Sequence, residues 1–262
     1  MSQIYPLFSS SSGNSCFIGT PESGILIDCG TSCRRLSAAL DRCNITPGAV
    51  KAIFVTHDHS DHIDALRVFT KQHPMPVYSS KGTLKYLTNS GMISPHCDAY
   101  EIDSDGIEQS GFFVRAFHTP HDAMESVFYK IQTPDGKTAC VCTDLGMVTD
   151  EIDCELKGSD IVFLESNYDE IMLKTGPYPP MLKKRIAGEL GHLSNLDSAK
   201  EVHRLVESGT RKIILGHLSR HNNTPKVAEK THLDELSKDF IRNRDYILKI
   251  APQETDGWGM SF

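Results

Sequence analysis

Three histidines and two aspartates fall within six consecutive positions, His57-Asp58-His59-Ser60-Asp61-His62. Imidazole nitrogens and carboxylate oxygens are the donors that zinc, iron and manganese accept, and aspartate supplies negative charge that offsets two cations. Turns favour Asp and Ser but do not call for three histidines at this spacing, so the run points to a metal centre. A histidine also stands just before a predicted helix start, in Gly191-His192-Leu193-Ser194-Asn195. There His192 could donate a proton to a leaving alkoxide or hold a phosphate oxygen; capping or packing is the plainer role. Glu165, in Glu165-Ser166-Asn167-Tyr168, could orient a ligand histidine or merely belong to a polar strand-to-helix turn. The hydroxyls and backbone N–H groups of Phe8-Ser9-Ser10-Ser11-Ser12-Gly13-Asn14-Ser15, Ser11 and Asn14 among them, could line a phosphate site; a flexible serine-rich turn is the alternative.

Strand ends are where such residues can converge. The apolar runs Ile4–Phe8, Cys16–Ile18, Ile25–Cys29, Ala52–Thr56, Phe112–Phe117, Val127–Gln132, Thr138–Thr143, Asp160–Leu164, Lys212–Leu215 and Tyr246–Ile250 read as strands. Thr133-Pro134-Asp135-Gly136 has hairpin chemistry. Helices are expected over Ser32–Cys43, Ala65–Gln72, Ser198–Glu207 and Pro225–Phe240. Ser194 or Asn195 can cap the third and Gly209 can end it. Thr175 to Pro180 reads as a surface loop. His73, His96, His203 and His232 are expected on the surface.

A chain of 262 residues with 39% hydrophobic residues can bury a large core without staples. The formal charge of −7 gives no strong overall attraction to nucleic acid or to an anionic membrane. No export signal and no membrane-length apolar run is read, so a cytoplasmic protein that does not enter a membrane is expected. Several of the eight cysteines lie in apolar strands without any CxxC pair, which fits reduced thiols.

The pattern His57-x-His59-x-Asp61-His62 resembles the signature of the metallo-β-lactamase fold superfamily. The resemblance implies an α/β fold, a four-layer αββα sandwich with two metals at one edge of its sheets, here as a single domain over residues 1–262. Asp28 then corresponds to the aspartate that braces the metal loop. His57, His59 and His121 would hold one metal, and Asp61, His62 and His217 the other. Asp144 and a hydroxide would bridge them. His118 competes with His121, which is preferred because His118 ends a strand-like run. His221 competes weakly with His217. Glu165 to Tyr168 resembles an Asp/Glu-Ser-Thr-Tyr type motif of nucleic-acid-processing members.

Together with Gly-His-Leu-Ser-Asn at 191–195, Leu-Gly-His-Leu-Ser at 215–219 and the serine-rich first loop, the metal run closely resembles the YycJ/WalJ-type branch. That branch is described as DNA exonuclease-like, with a 5′-to-3′ direction and links to DNA repair. The chain is too short for an inserted β-CASP domain. The implied activity is hydrolysis of a phosphodiester, with DNA ends as partner and two divalent ions (Zn, Mn or Fe) as cofactors. Asp61 and His192 are the candidate catalytic residues. Asp28, Glu165, Ser11 and Asn14 would support the ligands or touch substrate. Arg34, Arg35, Lys183, Lys184, Arg185 and Arg220 could track a backbone. A small-molecule hydrolase of the same fold, or a non-catalytic metal or nucleic-acid binding module, are the competing expectations.

Overall fold

All three residues of Ile25-Leu26-Ile27 are buried, yet they do not share one core: Ile25 and Ile27 enter a central apolar layer and Leu26 an outer one. Ala52 and Phe54 likewise face the centre while Ile53 and Val55 face outward. Ile214 faces the centre, and Ile213 and Leu215 a third layer on the far side. Successive side chains of a strand point to opposite faces, so unbroken apolar runs are strands covered on both sides.

The computed structural model describes residues 1–262. Its strands are β1 (Gln3–Ser10), β2 (Gly13–Thr20), β3 (Ser23–Ile27), β4 (Val50–Val55), β5 (Val77–Ser79), β6 (Ala99–Glu101) and β7 (Ile107–Gln109). They continue as β8 (Phe112–His118), β9 (Val127–Gln132), β10 (Thr138–Cys142), β11 (Ile161–Glu165), β12 (Lys212–Gly216), β13 (Ile247–Ile250) and β14 (Met260–Ser261). One seven-stranded sheet runs β14-β1-β2-β3-β4-β5-β6, the other β13-β12-β11-β10-β9-β8-β7. In the first, pairings are antiparallel from β14 to β3 and parallel from β3 to β6. The second repeats the plan, antiparallel from β7 to β10 and parallel from β10 to β13.

Parallel neighbours need crossovers, and helices supply them. Cys33–Arg42 and Leu66–Gln72 pack Leu36, Leu40 and Phe69 onto the first sheet. Asp150–Leu156, Asn195–Glu207 and Pro225–Leu236 pack Ile152, Val202, Leu205 and Leu236 onto the second. The result is the four-layer αββα sandwich.

Local differences from the sequence expectation have identifiable causes. The helix expected from Ser198 begins at Asn195, because Ser194 Oγ accepts the Asp197 N–H at 3.1 Å. The last long helix stops at Leu236, short of Phe240. Ser9 and Ser10 belong to β1 and pair with Asn14 and Gly13, so the first loop is only Ser11-Ser12. The three-residue strands and the helices Lys81–Asn89, Glu170–Thr175 and Pro180–Ile186 show too little periodicity to be read alone.

His232 is not on the surface. It is fully buried between the last two long helices, with Nδ1 donating to the Ala228 carbonyl at 2.9 Å and Nε2 3.1 Å from Ser198 Oγ. Burial pushes its pKa down to about 4. Below its ordinary value near 6.5 the unfolded chain takes up a proton that the folded chain refuses, so stability falls with pH until about 4. The expected loss between pH 7 and pH 5 is about 2 kcal/mol from this group. Denaturant titrations at the two pH values should show that His232→Gln removes most of that difference; an unchanged difference would put the pH sensitivity elsewhere.

Candidate metal centre

The candidate residues gather at the C-terminal ends of five strands. Asp28 follows β3, His57 to His62 follow β4, Asp144 follows β10, Glu165 ends β11 and His217 follows β12. Asp28, Asp144 and His217 have φ of 58°, 60° and 54°. A non-glycine residue in that region is uncommon and costs free energy, and here three such residues turn into one site. Gly30 backs the metal loop so closely that a Cβ there would lie 1.5 Å from the Asp61 carbonyl oxygen, which leaves no room for any other residue.

Ligand-type atoms fall into overlapping groups, each within 4.8 Å: His57, His59 and His121; His57, His62 and Asp144; Asp61, His62 and His217; and Asp144, Glu165, His192 and His217. Outward-facing ring nitrogens are fixed by partners. His121 Nδ1 donates to the Gly191 carbonyl at 2.9 Å, His62 Nδ1 donates to Asp28 Oδ2 at 2.8 Å, and His217 Nδ1 donates to Glu165 Oε1 at 2.6 Å. His57 Nδ1 lies 3.0 Å from Thr56 Oγ1. Such contacts set the tautomer and aim the opposite nitrogen. The nitrogens aimed inward, Nε2 of His57, His121 and His217, are buried without any hydrogen-bond partner, as is Asp144 Oδ2. Leaving a buried polar atom unsatisfied costs about 1–3 kcal/mol, and four of them converging is what bound cations would relieve.

The electrostatics agree. Burial holds His57 well below its ordinary pKa, with His62 adding to the effect, and it also lowers His121. At His62 and His217 burial opposes charge but is outweighed. Asp144, Asp28 and Asp61 raise His62, and Asp144, Asp61 and Glu165 raise His217 to about 10. For Asp144, burial is overcome by His217 and His62, which hold it well below the carboxylate range. Protons on two imidazoles thus supply positive charge that this set of carboxylates demands and that divalent ions would provide instead.

Asp28 ties the end of β3 to the segment after β4: it accepts the Thr56 N–H and hydroxyl, each at 2.8 Å, besides His62. Glu165 Oε1 accepts from His217 and from His192 Nδ1 at 2.9 Å, while Oε2 accepts the N–H groups of Leu145 and Leu193. Asn14 does not sit on the pocket wall. Its Nδ2 donates to Asp61 Oδ2 at 3.1 Å and lies 2.9 Å from His62 Nε2. Ser11 does line the pocket, an opening of about 300 Å³ walled also by His59, Ser60, Asp61, Asp144, Arg185, His192 and His217, with no apolar residue. His118 points to solvent, its side chain 68% exposed, and His221 packs on the Tyr178 ring; neither joins a ligand group. Of the basic candidates only Arg185 reaches the pocket, whereas Arg35 pairs with Glu254 and Lys183 donates to the Lys174 carbonyl.

Sequence reasoning leaves three contributors unassigned. Thr56 links Asp28 to two histidines. Asp58 Oδ1 accepts the Met124 N–H at 2.8 Å and so ties the metal loop to the loop of His121. Asp122 pairs with Arg185. Only Asp58 and Asp122 carry a signal, as acidic neighbours of candidate ligands.

A histidine–aspartate centre on one edge of an αββα sandwich defines a metallo-β-lactamase fold hydrolase. The profile of the family described as "Beta-lactamase superfamily domain" matches residues 24–218, and the chain belongs to that family. It falls in the WalJ/YycJ branch. It is 33% identical over 236 residues to the exodeoxyribonuclease WalJ of Streptococcus pneumoniae serotype 2, covering 88% of this chain and 87% of that one. It is 33% identical over 223 residues to the exodeoxyribonuclease YycJ of Bacillus anthracis, covering 85% and 84%. Among solved structures, the metallo-β-lactamase fold protein YhfI from Bacillus subtilis matches with a TM-score of 0.72 at 14% identity, over 97% of this chain and 98% of that one. The chain is therefore a metal-dependent hydrolase, and its histidine–aspartate cluster supplies candidate ligands for a divalent metal. No helix is long and apolar enough to cross a membrane, and all eight cysteines are free.

Proposed function

We propose that the chain is a dinuclear phosphodiesterase acting on DNA as a 5′-to-3′ exonuclease in the cytoplasm, folded as one domain without an inserted one. The observation that carries this reading is the pair of three-residue groups of ligand-type side chains on either side of Asp144, in which Nε2 of His57, His121 and His217 and Oδ2 of Asp144 are buried and unpartnered. His57, His59 and His121 would hold one ion, Asp61, His62 and His217 the other, with Asp144 between. When bound, two such ions (Zn, Mn or Fe) lower the pKa of water and polarise a phosphoryl oxygen. Glu165 fixes His192, which lines the opening, through Nδ1, and this leaves Nε2 free to give a proton to the leaving oxygen. Asp61, held by Asn14, contributes a carboxylate to the same opening. An opening of about 300 Å³ stands at the small end of ligand pockets and admits a terminal nucleotide rather than a length of duplex. Both relatives named as exodeoxyribonucleases support DNA as the substrate and its ends as the point of entry.

Protein loaded with Mn²⁺ or Zn²⁺ and given end-labelled single- and double-stranded DNA, RNA and bis(p-nitrophenyl) phosphate is the test. Mononucleotides released in order from the 5′ end are expected. DNA left intact while a small phosphodiester or a thioester is turned over would replace this reading with that of a small-molecule hydrolase.

A further inference from the structure

Among the side chains that line the opening, Arg185 is the one with a permanent positive charge. It comes from the helix Pro180–Ile186, which is anchored by Ile186 against Tyr168 and Leu173, apart from the strand ends that supply the ligand candidates. The Asp122 carboxylate accepts from both Nε and Nη2 of Arg185, the latter at 2.9 Å. That two-pronged pairing fixes the plane of the guanidinium and uses two of its five N–H groups. Nη1 makes no hydrogen bond within the protein. The Arg185 side chain is 50% exposed, whereas those of Asp144 and His217 are 2% exposed, so the arginine stands at the rim and the ligand cluster forms the floor.

We propose that Arg185 binds a second phosphate of the substrate, one nucleotide along the strand from the phosphate that is hydrolysed, with Asp122 as its positioning residue. The proposal rests on the phosphodiesterase reading. The floor of the site already provides for the scissile phosphate, and the rim is where the next one passes. A planar guanidinium with free, oriented N–H groups matches phosphate oxygens better than a mobile ammonium does. Ser11 and Ser60 add hydroxyls to the same opening, and no aliphatic, Phe, Tyr or Trp side chain lines it to grip a base. Recognition is then through the backbone and independent of base sequence.

The test compares kcat/KM of the metal-loaded protein for the thymidine dinucleotide TpT with that for pTpT and TpTp. One of the phosphorylated dinucleotides is expected to exceed TpT by about tenfold or more, the size of a charged hydrogen-bonded contact. Arg185→Ala should bring that advantage to within about twofold, and Arg185→Lys should restore part of it. Dissociation constants of methylphosphonate-linked dinucleotides with and without the terminal phosphate, measured on the metal-loaded protein, should move in parallel without turnover. A wild-type protein indifferent to the extra phosphate, or an advantage that survives Arg185→Ala, overturns the proposal. So does an equal loss on all three dinucleotides, which would mean that Arg185 acts through Asp122 on the loop of His121. If none of the dinucleotides and no bis(p-nitrophenyl) phosphate is hydrolysed, the phosphodiesterase reading is what fails, and the dissociation constants still decide the role of Arg185.

Discussion

Asp144→Asn is expected to strip the site of metal and to lower phosphodiester hydrolysis by at least about a thousandfold, equivalent to about 4 kcal/mol of transition-state stabilisation. The amide keeps the shape of the side chain and loses its charge. Asp144 Oδ2 lies 3.3 Å from His62 Nε2, and Oδ1 lies 3.4 Å from His217 Nδ1 and 3.8 Å from His121 Nε2. Asp144 is 2% exposed, and the other buried carboxylates beside the histidines are already engaged, Asp28 with His62 and Glu165 with His217 and His192. Two divalent ions held close together in a dry site repel each other, and a buried anion between them is what most strongly opposes that repulsion. Metal analysis after dialysis should fall from about two ions per chain to less than one. Two ions retained with activity within tenfold of wild type would remove Asp144 from the centre.

The His57–His62 loop is legible because its candidate ligands crowd into six positions. Six residues after one apolar strand carry most of the donors, and their type alone speaks of metal. The remaining strand-end residues are reached through a resemblance, and the structure accounts for why they occur where they do. Each of Asp28, Asp144 and His217 turns at the end of a parallel strand with a positive φ, a backbone state that sequence does not display. The preference for His121 over His118 rests on strand phase: His118 still belongs to β8 and points to solvent, whereas His121 lies in the loop beyond, beside His57 and His59.

What stays hidden is contact between distant segments. Asp122 and Arg185 are 63 residues apart in the chain and meet only because the loop of His121 and the helix Pro180–Ile186 come together at the rim. His232 reads as a polar residue on an amphipathic helix, yet that helix is covered by its neighbour and the imidazole is satisfied internally by Ala228 and Ser198. The serine-rich first loop illustrates the same limit from the other side. Its composition suggests an exposed phosphate cradle, but Ser9 is buried and its Oγ accepts the N–H of His217 at 2.7 Å. That hydroxyl helps to hold the left-handed turn at His217, so part of the serine run serves the metal centre from beneath.

His192→Ala is expected to lower kcat on DNA by about a hundredfold to ten-thousandfold while metal content stays near wild type. His192 shares the Glu165 carboxylate with His217, at 2.9 Å and 2.6 Å respectively, but its side chain is 16% exposed and lines the opening. Removing it leaves Glu165 bonded to His217, Leu145 and Leu193, so the carboxylate does not become an orphan and the ligand histidine keeps its orientation. If His192 delivers the proton that a departing alkoxide needs, the defect must depend on the leaving group. Bis(p-nitrophenyl) phosphate expels a stable phenolate that needs little protonation, so the variant's deficit on that substrate should be much smaller than on DNA. A ligand role makes the opposite forecast: His192 also falls within 4.8 Å of Asp144 and His217, and as a ligand its loss would cost metal and depress both substrates alike. Measuring metal content and the ratio of the two deficits in one preparation therefore separates proton donor from ligand, and equal deficits with metal intact would exclude the proton-donor role.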